Sequence, residues 1–529
     1  MHTILPFLLA MIAAVVLLEM LAARLKIAYP ILLVVAGLLI SFIPGLPILR
    51  VDPDLIFFIF LPPLLFEACW SISFKEMKKW WRIITSFAFL VVFFTALSVA
   101  LFTSHYIPGF TLALGFVLGG IVAPPDAVSA GAITKFVKIP RSTSAILEGE
   151  SLLNDASSLI IFRFALAAVG TGRFVWQHAA VNFLWMVFGG VGIGLALGWI
   201  FVQVQKRLPT EPSSDIALTL IEPYFMYWVA EQAGSSGVLA VVSGGLYMSS
   251  KRLFFLNSAS RIQGFNVWES FVFILNGIVF LIIGLELPEI VGGLRAKGID
   301  LHTAIGYGVM VTGVLIGARI ISSYVAMLAT MIFRPGVLPR AGSRLRRLLL
   351  PLVLGWSGMR GVVSLAAALS IPILLNDGTG PAFPHRNLIL FITFIVILLT
   401  LVVQGLTLPW LIRRWRVFDG TIMEESAEQT RRQLKDGLKH HVHEYLKKRY
   451  ENDPDPNEGV SKLLETWEKK TKASDDSWMN KKTKAVFIEM LNVQRQYLEE
   501  LNKDPKIDEG IIRAQMYQID LEEERLRRL

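Results

Sequence analysis

The feature that most constrains this chain is a series of long apolar stretches that continues from the N-terminus to about residue 412. A helix needs about 20 apolar residues to cross the hydrocarbon core of a bilayer. Thirteen stretches meet this requirement: 4–23, 28–44, 53–72, 82–103, 110–136, 144–169, 178–203, 214–231, 236–250, 265–288, 303–332, 347–373 and 386–412. The pattern predicts an all-α polytopic membrane protein with 13 transmembrane helices.

The last part of the chain has a different character. Residues 417–529 carry 45 charged side chains, almost as many as the 48 in the preceding 416 residues. Apolar residues recur there at helical spacing, for example Leu434, Leu438 and Val442, which predicts amphipathic helices. We therefore expect a transmembrane domain over 1–416 and a helical, cytosolic, regulatory C-terminal tail over 417–529.

The basic residues of the transmembrane part predict its orientation, because lysine and arginine are retained on the cytoplasmic side of a membrane. With the N-terminus outside, 22 of them fall in cytoplasmic loops and five in outer loops. The prediction is a multi-pass plasma-membrane protein with its N-terminus outside and its tail in the cytosol. The basic excess then reflects topology in the lipid bilayer, so no nucleic-acid partner is expected.

Ionisable residues lie deep inside several of the predicted spans, where they are costly and mark functional sites. Counted from the start of each span, Asp126, Asp155 and Arg360 come close to the bilayer midplane. Glu67 and Glu150 lie somewhat toward the cytoplasmic side.

The sixth span places several oxygen-bearing side chains together. Ser151 and Asp155 are four residues apart and share a helix face, while Glu150 and Asn154 form the neighbouring stripe. A carboxylate, a hydroxyl and an amide oxygen at this depth suit a small alkali cation, so we predict a cation site at Asp155. The alternative is a set of hydrogen bonds that only hold helices together.

Two spans contain residues that interrupt a helix. The fifth holds Pro124 and Pro125 directly before Asp126, and the twelfth holds Gly358 close to Arg360. Interrupted spans at corresponding positions of two halves are typical of a transporter binding site, here within inverted repeats of six spans separated by one extra span. The alternative is a pair of ordinary kinks.

A broken helix exposes two ends that carry partial charges. Asp126 can compensate the N-terminus of the second half of its own helix. Arg360 can compensate exposed carbonyl groups, or it can pair with Glu150.

Six segments carry a resemblance to a known family: FLPPLLFEACW (60–70), APPDAVSAG (123–131), EGESLLNDASSLIIFRFA (148–165), SGVLAVVSGGL (236–246), LNGIVFLIIGLEL (275–287) and WSGMRGVVSLA (356–366). With them, residues 5–415 resemble the bacterial members of the electroneutral sodium/proton exchanger branch of the cation:proton antiporter superfamily. The resemblance implies thirteen spans with two crossed broken helices, a homodimer, and a role in pH homeostasis. The implied activity is exchange of one monovalent cation for one proton, with no cofactor besides these transported ions.

The resemblance also implies roles for individual residues. Asp155 resembles the essential carboxylate that binds either cation or proton, so the resemblance implies sodium at Asp155, with Asn154 as its partner. Ser151 and Glu67 match positions that supply oxygens near the ion, and Asp126 matches the aspartate of the broken helix.

Glu150 and Arg360 match a structural ion pair that links the sixth and twelfth spans. The family usually has threonine where this chain has Pro125, which loses a hydroxyl but keeps a carbonyl oxygen. Arg319, inside the eleventh span, is expected to form an ion pair within the bundle.

Two other functions fit part of the pattern. The first is antiport of potassium, or of monovalent cations broadly, for protons. The second is an intramembrane aspartyl protease that uses Asp126 and Asp155, although neither aspartate stands in the Gly-x-Gly-Asp type of motif that such an enzyme requires. We therefore expect a secondary active transporter and not an enzyme.

Overall fold

The computed structural model describes most of the chain. The described residues are 4–25, 29–43, 53–126, 141–171, 176–208, 211–296, 298–333, 344–375, 381–415, parts of 429–448, 481–504 and 507–528. Apart from one isolated β-bridge between Leu374 and Ala382, regular structure in these ranges is helical. The expected all-α class is confirmed.

Eight helices lie in the first part of the described chain, residues 4–207. Their bounds are α1 Ile4–Leu25, α2 Tyr29–Ile40, α3 Pro53–Ser71, α4 Phe74–Ser86, α5 Val92–Tyr106, α6 Leu112–Val122, α7 Arg141–Thr171 and α8 Trp176–Arg207.

Eleven further helices lie in the rest of the apolar part and in the tail, residues 212–528. It consists of α9 Pro212–Gln232, α10 Gly237–Phe255, α11 Ser258–Leu285, α12 Leu287–Ala296, α13 Leu301–Phe333, α14 Arg344–Trp356, α15 Val362–Leu369, α16 Arg386–Leu399, α17 Gly405–Trp415, α18 Lys481–Leu501 and α19 Glu509–Arg528.

Seven helical segments of the described chain are long and apolar enough to cross a membrane, and three shorter apolar helices accompany them. The long ones are Pro6–Leu25, Phe74–Tyr106, Ala145–Thr171, Val181–Arg207, Ser258–Ala296, Leu301–Leu328 and Arg386–Trp415. The total of thirteen spans stays a prediction, since the second half of the predicted fifth span, from residue 127, lies outside the described residues.

Small residues let α6 pack tightly between α5 and α7, as is typical of membrane helices. A Cβ atom added at Gly119 would lie 2.5 Å from the carbonyl oxygen of Ala96 on α5. On the other side, a Cβ atom at Gly120 would lie 3.0 Å from the backbone nitrogen of Phe162 on α7. These close approaches hold the end of α6, where the candidate site begins, between two long helices.

The apolar core of this region collects side chains from seven helices. They include Val99 of α5, Leu118 of α6, Phe162 of α7, Leu315 of α13 and Ile392 of α16, with further members from α12 and α15. Because α6, α7 and α15 share one core, the polar residues at their ends and on their inner faces are held in fixed positions.

The chain divides into two compact units. One comprises Met1–Leu208, Ala217–Phe255 and Val267–Phe418, and the other comprises Pro209–Ile216, Leu256–Asn266 and Asp419–Leu529. The second unit has a core of its own, to which Leu438, Val442, Met490, Leu498 and Ile512 contribute. The helical character that the spacing of Leu434, Leu438 and Val442 predicted is present in residues 433–438 and 440–442.

Candidate functional site

The end of one helix and a break between two others meet within the apolar unit. Helix α6 ends at Val122 and is followed by the non-helical residues 123–126, while α14 and α15 are separated by residues 357–361. The backbone N–H of Asp126 donates to the carbonyl oxygen of Met359 at 2.7 Å. The two breaks are therefore joined by a backbone hydrogen bond, although more than 200 residues separate them.

The guanidinium group of Arg360 compensates the partial negative charge of the carbonyl groups at the C-terminal end of α6. Its Nε donates to the carbonyl oxygen of Val122 at 2.7 Å, and its Nη2 donates to that of Ala123 at 3.1 Å. Its Nη1 donates to the carbonyl oxygen of Gly358. The last carbonyls of a helix lack intrahelical partners and carry partial negative charge, so a guanidinium group stabilises this end.

The carboxylate of Asp126 lies beside the N-terminus of α15, on the other side of the break between α14 and α15. Gly361 precedes α15, and a Cβ atom added there would lie 2.1 Å from Oδ2 of Asp126. Glycine is therefore required at 361 for the carboxylate to approach the N-terminus of α15, whose partial positive charge favours an anion. The expected contact with the second half of its own helix falls on residues outside the described ranges.

The prolines of the first break supply a carbonyl group to the site. Pro124 and Pro125 are both buried, and the hydroxyl of Ser151 on α7 donates to the carbonyl oxygen of Pro125 at 3.2 Å. This contact joins the sixth predicted span to the interruption in the fifth. The backbone oxygen of Pro125 is thus present at the position where the resemblance implies a threonine in the family.

Asp155 lies one helical turn beyond Ser151 on α7 and is 7% exposed. Its carboxylate is close enough to that of Asp126 for the two to interact electrostatically. In the described part of the chain, its carboxylate forms no ion pair with a basic side chain. A buried carboxylate that lacks a basic neighbour favours an occupant that neutralises it.

Asn154, the adjacent residue, is completely buried. Among the described residues, neither its amide nitrogen nor its amide oxygen has a hydrogen-bond partner. A buried amide of this kind retains full capacity to orient a neighbouring group or ligand.

The ion pair predicted between Glu150 and Arg360 is replaced by a different one. Oε1 of Glu150 lies 2.8 Å from Nη2 of Arg319 on α13, and both side chains are almost completely buried. Arg360 instead turns toward carbonyl groups, because the end of α6 lies beside it. Arg319, for which the sequence named no partner, thus links the sixth predicted span to the eleventh.

Glycine is required at 358 because both arginines pass close to it. A Cβ atom there would lie 2.4 Å from Nε of Arg319 and 2.8 Å from Nη1 of Arg360. The Gly358 identified from the sequence as a helix-interrupting residue therefore also makes space for two guanidinium groups.

Glu67 is held on a separate helix by a local contact. The hydroxyl of Ser71 donates to Oε1 of Glu67 at 2.6 Å within α3. Glu269 on α11 is an acidic neighbour of Glu67. Helix α3 packs against α7 and α15, so Glu67 lies on a helix next to the one that carries Asp155.

Two π-helical segments, which the sequence analysis missed, lie next to the site. In Phe87–Val91, between α4 and α5, the carbonyl oxygen of Ala88 accepts from the hydroxyl of Ser157 on α7 at 2.5 Å. In Thr400–Gln404, between α16 and α17, the hydroxyl of Thr400 accepts from the backbone N–H of Arg360 at 3.2 Å. Such insertions are frequent at functional sites, but their short apolar sequences carry no recognisable signal.

Comparison with known sequences decides the family. Residues 9–414 match the family described as "Sodium/hydrogen exchanger, transmembrane". The chain belongs to the sodium/hydrogen exchanger family. As a member of this family it is a membrane-embedded secondary active transporter and not an enzyme, which removes the aspartyl protease alternative.

The names of two relatives of this exchanger state different sets of transported ions. An uncharacterized Na(+)/H(+) exchanger of Mycobacterium tuberculosis is 29% identical over 98% of this chain and 95% of its own length. A "Sodium, potassium, lithium and rubidium/H(+) antiporter" of Bacillus subtilis is 34% identical over 72% of this chain and 57% of its own length.

A solved structure is similar to the exchanger in fold. The sodium proton antiporter MjNhaP1 from Methanocaldococcus jannaschii matches 78% of this chain and 99% of its own, with a TM-score of 0.59 and 18% sequence identity. At this identity the match supports the fold and leaves the ion site to be argued from the residues themselves.

Proposed function

We propose that this exchanger is an electroneutral sodium/proton antiporter in which one sodium ion and one proton compete for the carboxylate of Asp155. The observation that carries the proposal is the environment of this side chain. It is buried, lacks a basic partner among the described residues, and lies on α7 with Ser151 and Asn154 beside it. Either occupant neutralises the carboxylate, so either can be carried through an apolar protein.

The neighbouring oxygens suit a small hard cation. The hydroxyl of Ser151, the carbonyl of Pro125 and the carboxylate of Asp126 are oxygen donors in the same region, and sodium prefers such ligands. The amide oxygen of Asn154 is a further candidate ligand. We propose that Glu67, whose helix α3 packs against α7 and α15, supplies a further oxygen near the ion.

The proposed cycle is alternating access with the arrangement expected for the family. The neutral, loaded site faces first one side of the membrane and then the other, in a homodimer whose N-termini are outside the cell and whose tails are in the cytosol. Because Asn154 cannot titrate and Asp126 is placed against the start of α15, a single carboxylate exchanges one proton for one cation.

A second candidate function is exchange of several monovalent cations for protons. Its specific support is the relative from Bacillus subtilis, whose name states sodium, potassium, lithium and rubidium. Pro125 leaves room for it, since the hydroxyl of the family's usual threonine is lost from the ligand set that discriminates between cations, while the carbonyl oxygen remains.

The deciding experiment uses purified exchanger in proteoliposomes that contain a pH-sensitive dye. Sodium, lithium and potassium are added in turn, and a sodium-driven pH change that potassium does not produce is the expected result. Equal responses to all three ions would favour the broader antiporter, and a response to none would contradict cation/proton exchange.

Stoichiometry is tested in the same vesicles by clamping the membrane potential with valinomycin and potassium. An electroneutral cycle moves no net charge, so the sodium-driven proton flux should be the same with and without the potential. One net charge per cycle would couple the flux to about 2.3 kcal/mol per 100 mV. A clear voltage dependence would mean that Asp126 or Glu67 titrates as well.

A further inference from the structure

Helix α4 carries its basic residues on one side. They are Lys75, Lys78, Lys79 and Arg82, and at 3.6 residues per turn they fall within an arc of about 100°. Lys78, Lys79 and Arg82 are exposed, and Lys75 is half-buried. We call these four residues the basic face. Glu76, the only acidic residue of α4, lies outside this arc at 3.8 Å from Nζ of Lys79, and it leaves the helix with three net positive charges.

Tryptophan side chains border the basic face. Trp81 is 54% exposed, and the guanidinium group of Arg82 lies over its ring at 5.6 Å from the centroid. Nζ of Lys79 lies over the ring of Trp80, also at 5.6 Å. Tryptophan is enriched at the membrane–water interface, and a helix that combines it with lysine and arginine is typical of that layer. The composition of α4 therefore suits the headgroup layer of a bilayer.

The length of the helix indicates the same depth. Phe74–Tyr106 is one continuous helical segment of 33 residues, which corresponds to a length of about 50 Å. Because the hydrocarbon core is about 30 Å thick, about 13 residues of the segment lie outside it. Helix α4 has 13 residues, and the remaining positions, 87–106, contain no Asp, Glu, Lys or Arg. The apolar part therefore fills the hydrocarbon core, and the basic face lies at the level of the headgroups.

The protein covers the opposite side of α4. Ile84 lies about half a turn away from the basic face and is completely buried. A Cβ atom added at Gly149 of α7 would lie 2.8 Å from Cδ1 of Ile84. In the π-helical segment that follows α4, the carbonyl oxygen of Ala88 accepts from the hydroxyl of Ser157 on α7. These contacts with α7 turn the basic face away from the protein.

Exposed apolar side chains continue along the same helical segment. Leu90, Phe94 and Leu101 are each more than half exposed. Phe94 and Leu101 are seven residues apart, so they share one face of α5. In a membrane-embedded protein, such a surface contacts acyl chains. The segment therefore offers cations at the level of the headgroups and an apolar strip at the level of the acyl chains, which match the two parts of a phospholipid.

We propose that the basic face binds the phosphate group of an anionic phospholipid whose acyl chains lie against α5. Charge complementarity selects this lipid, because a zwitterionic headgroup has no net charge to attract the basic face. Lysine and arginine also form charge-assisted hydrogen bonds with phosphate oxygens. Lipid already surrounds this face of a membrane-embedded exchanger, whereas an acidic protein segment would first have to displace it. The inference is independent of which ions are exchanged.

The test measures lipid binding to the purified full-length exchanger by native mass spectrometry. Protein in detergent is titrated with phosphatidylglycerol, or with phosphatidylcholine as the zwitterionic reference. The triple variant Lys78→Gln, Lys79→Gln and Arg82→Gln should weaken binding of the first phosphatidylglycerol about tenfold or more, since each basic residue near an anionic surface contributes about fivefold. Binding of phosphatidylcholine should stay the same.

The matched control removes the same number of charges elsewhere. Lys206→Gln, Arg207→Gln and Lys251→Gln together neutralise three exposed basic residues close to the ends of α8 and α10. Phosphatidylglycerol binding should change less than about twofold in this variant, because the basic face is intact. Equal weakening in the two triple variants would mean that overall charge attracts the lipid, and it would overturn the proposed site.

Two further measurements guard against misfolding of the glutamine variant. Lys78→Arg, Lys79→Arg and Arg82→Lys together keep every charge and should bind phosphatidylglycerol like the wild type. In the wild type, raising ammonium acetate from about 0.1 M to about 1 M shortens the Debye length from about 10 Å to about 3 Å and should weaken this binding severalfold. Salt-independent binding, or equal wild-type affinity for the two lipids, would contradict the proposal.

Discussion

Two buried aspartates in this exchanger have opposite surroundings. Asp520 in the tail lies between Arg261 and Arg495, and because Arg495 also pairs with Glu523, the four charges cancel. Asp155 in the apolar unit has a serine, an asparagine and a second aspartate nearby, and no basic partner among the described residues. The comparison indicates that complete pairing fixes structure, while an uncompensated carboxylate is left to bind something mobile.

The broken helices show how the apolar unit keeps Asp155 uncompensated despite nearby cations. Arg360 is occupied by the carbonyl groups that end α6, and Arg319 is occupied by Glu150. Each buried arginine therefore has its own partner, and neither neutralises the candidate ion site.

The largest expected effect is that of Asp155→Asn. Removing the carboxylate should abolish sodium-driven proton flux in proteoliposomes, while the thermal stability of the protein stays the same or rises because a buried charge without a partner is lost. Flux above about a third of the wild-type value, a threshold that corresponds to less than 1 kcal/mol, would transfer the binding role to Asp126 or Glu67.

The second prediction concerns the buried ion pair between Glu150 and Arg319, whose two charges cancel. Glu150→Gln leaves Arg319 uncompensated and should lower the free energy of unfolding by about 3–5 kcal/mol. The double variant Glu150→Gln with Arg319→Gln should recover part of this loss. Thermal unfolding in detergent, followed by tryptophan fluorescence, measures the effect.

The matched control for that pair is Glu231→Gln. Glu231 pairs with Arg163 at 2.8 Å, but the two side chains are 26% and 44% exposed, so the loss should be at most about 1 kcal/mol. If the losses in the free energy of unfolding caused by Glu150→Gln alone and by Arg319→Gln alone simply added up in the double variant, the contact between the two side chains would not contribute to stability.

The third prediction concerns Asp520, the aspartate that is paired with two arginines. Asp520→Asn keeps the shape of the side chain and removes its charge, so the tail should lose about 2 kcal/mol of stability. Hydrogen exchange of α18 and α19 should become faster, and sodium/proton exchange should persist. Loss of transport with a correctly inserted protein would show that Asp520 belongs to the transport machinery and that the two aspartates are not opposites.

The smallest effect is expected for Ser151→Ala. The variant removes the hydroxyl that donates to Pro125 and lies one turn from Asp155. Losing one oxygen near the ion should weaken apparent sodium affinity by about 1 kcal/mol, or roughly fivefold, with little change in maximal flux. The dependence of flux on sodium concentration measures it, with Ser158→Ala on the same helix as control. An unchanged affinity would place Ser151 outside the ion site.

Sequence reasoning identified most residues of the candidate site because they break local rules. Asp126, Asp155 and Arg360 are charged within apolar stretches, and Pro124, Pro125 and Gly358 interrupt helical ones. Such departures are visible in a single sequence, because a charge or a lost hydrogen bond within an apolar stretch is costly enough to be rare there without a function.

The partners of these residues could not be obtained in the same way. Glu150 was assigned to Arg360, and the structure pairs it with Arg319, because the choice depends on which guanidinium group is already occupied by the end of α6. The ion pairs of Arg495, Asp520 and Glu523 left no sequence signal, since charged residues are common throughout the tail and only burial sets these three apart.

The sequence by itself determined that this protein has several apolar helices long enough to cross a membrane, that helices end beside Pro124 and Gly358, and that carboxylates lie within apolar stretches. These properties follow from the apolar solvent, which acts on each segment separately. Only the tertiary structure decided which charges neutralise one another and which remains available to an ion. That decision depends on contacts of a few ångströms between residues hundreds of positions apart, where distance and burial, and not residue type, set the strength of an electrostatic interaction.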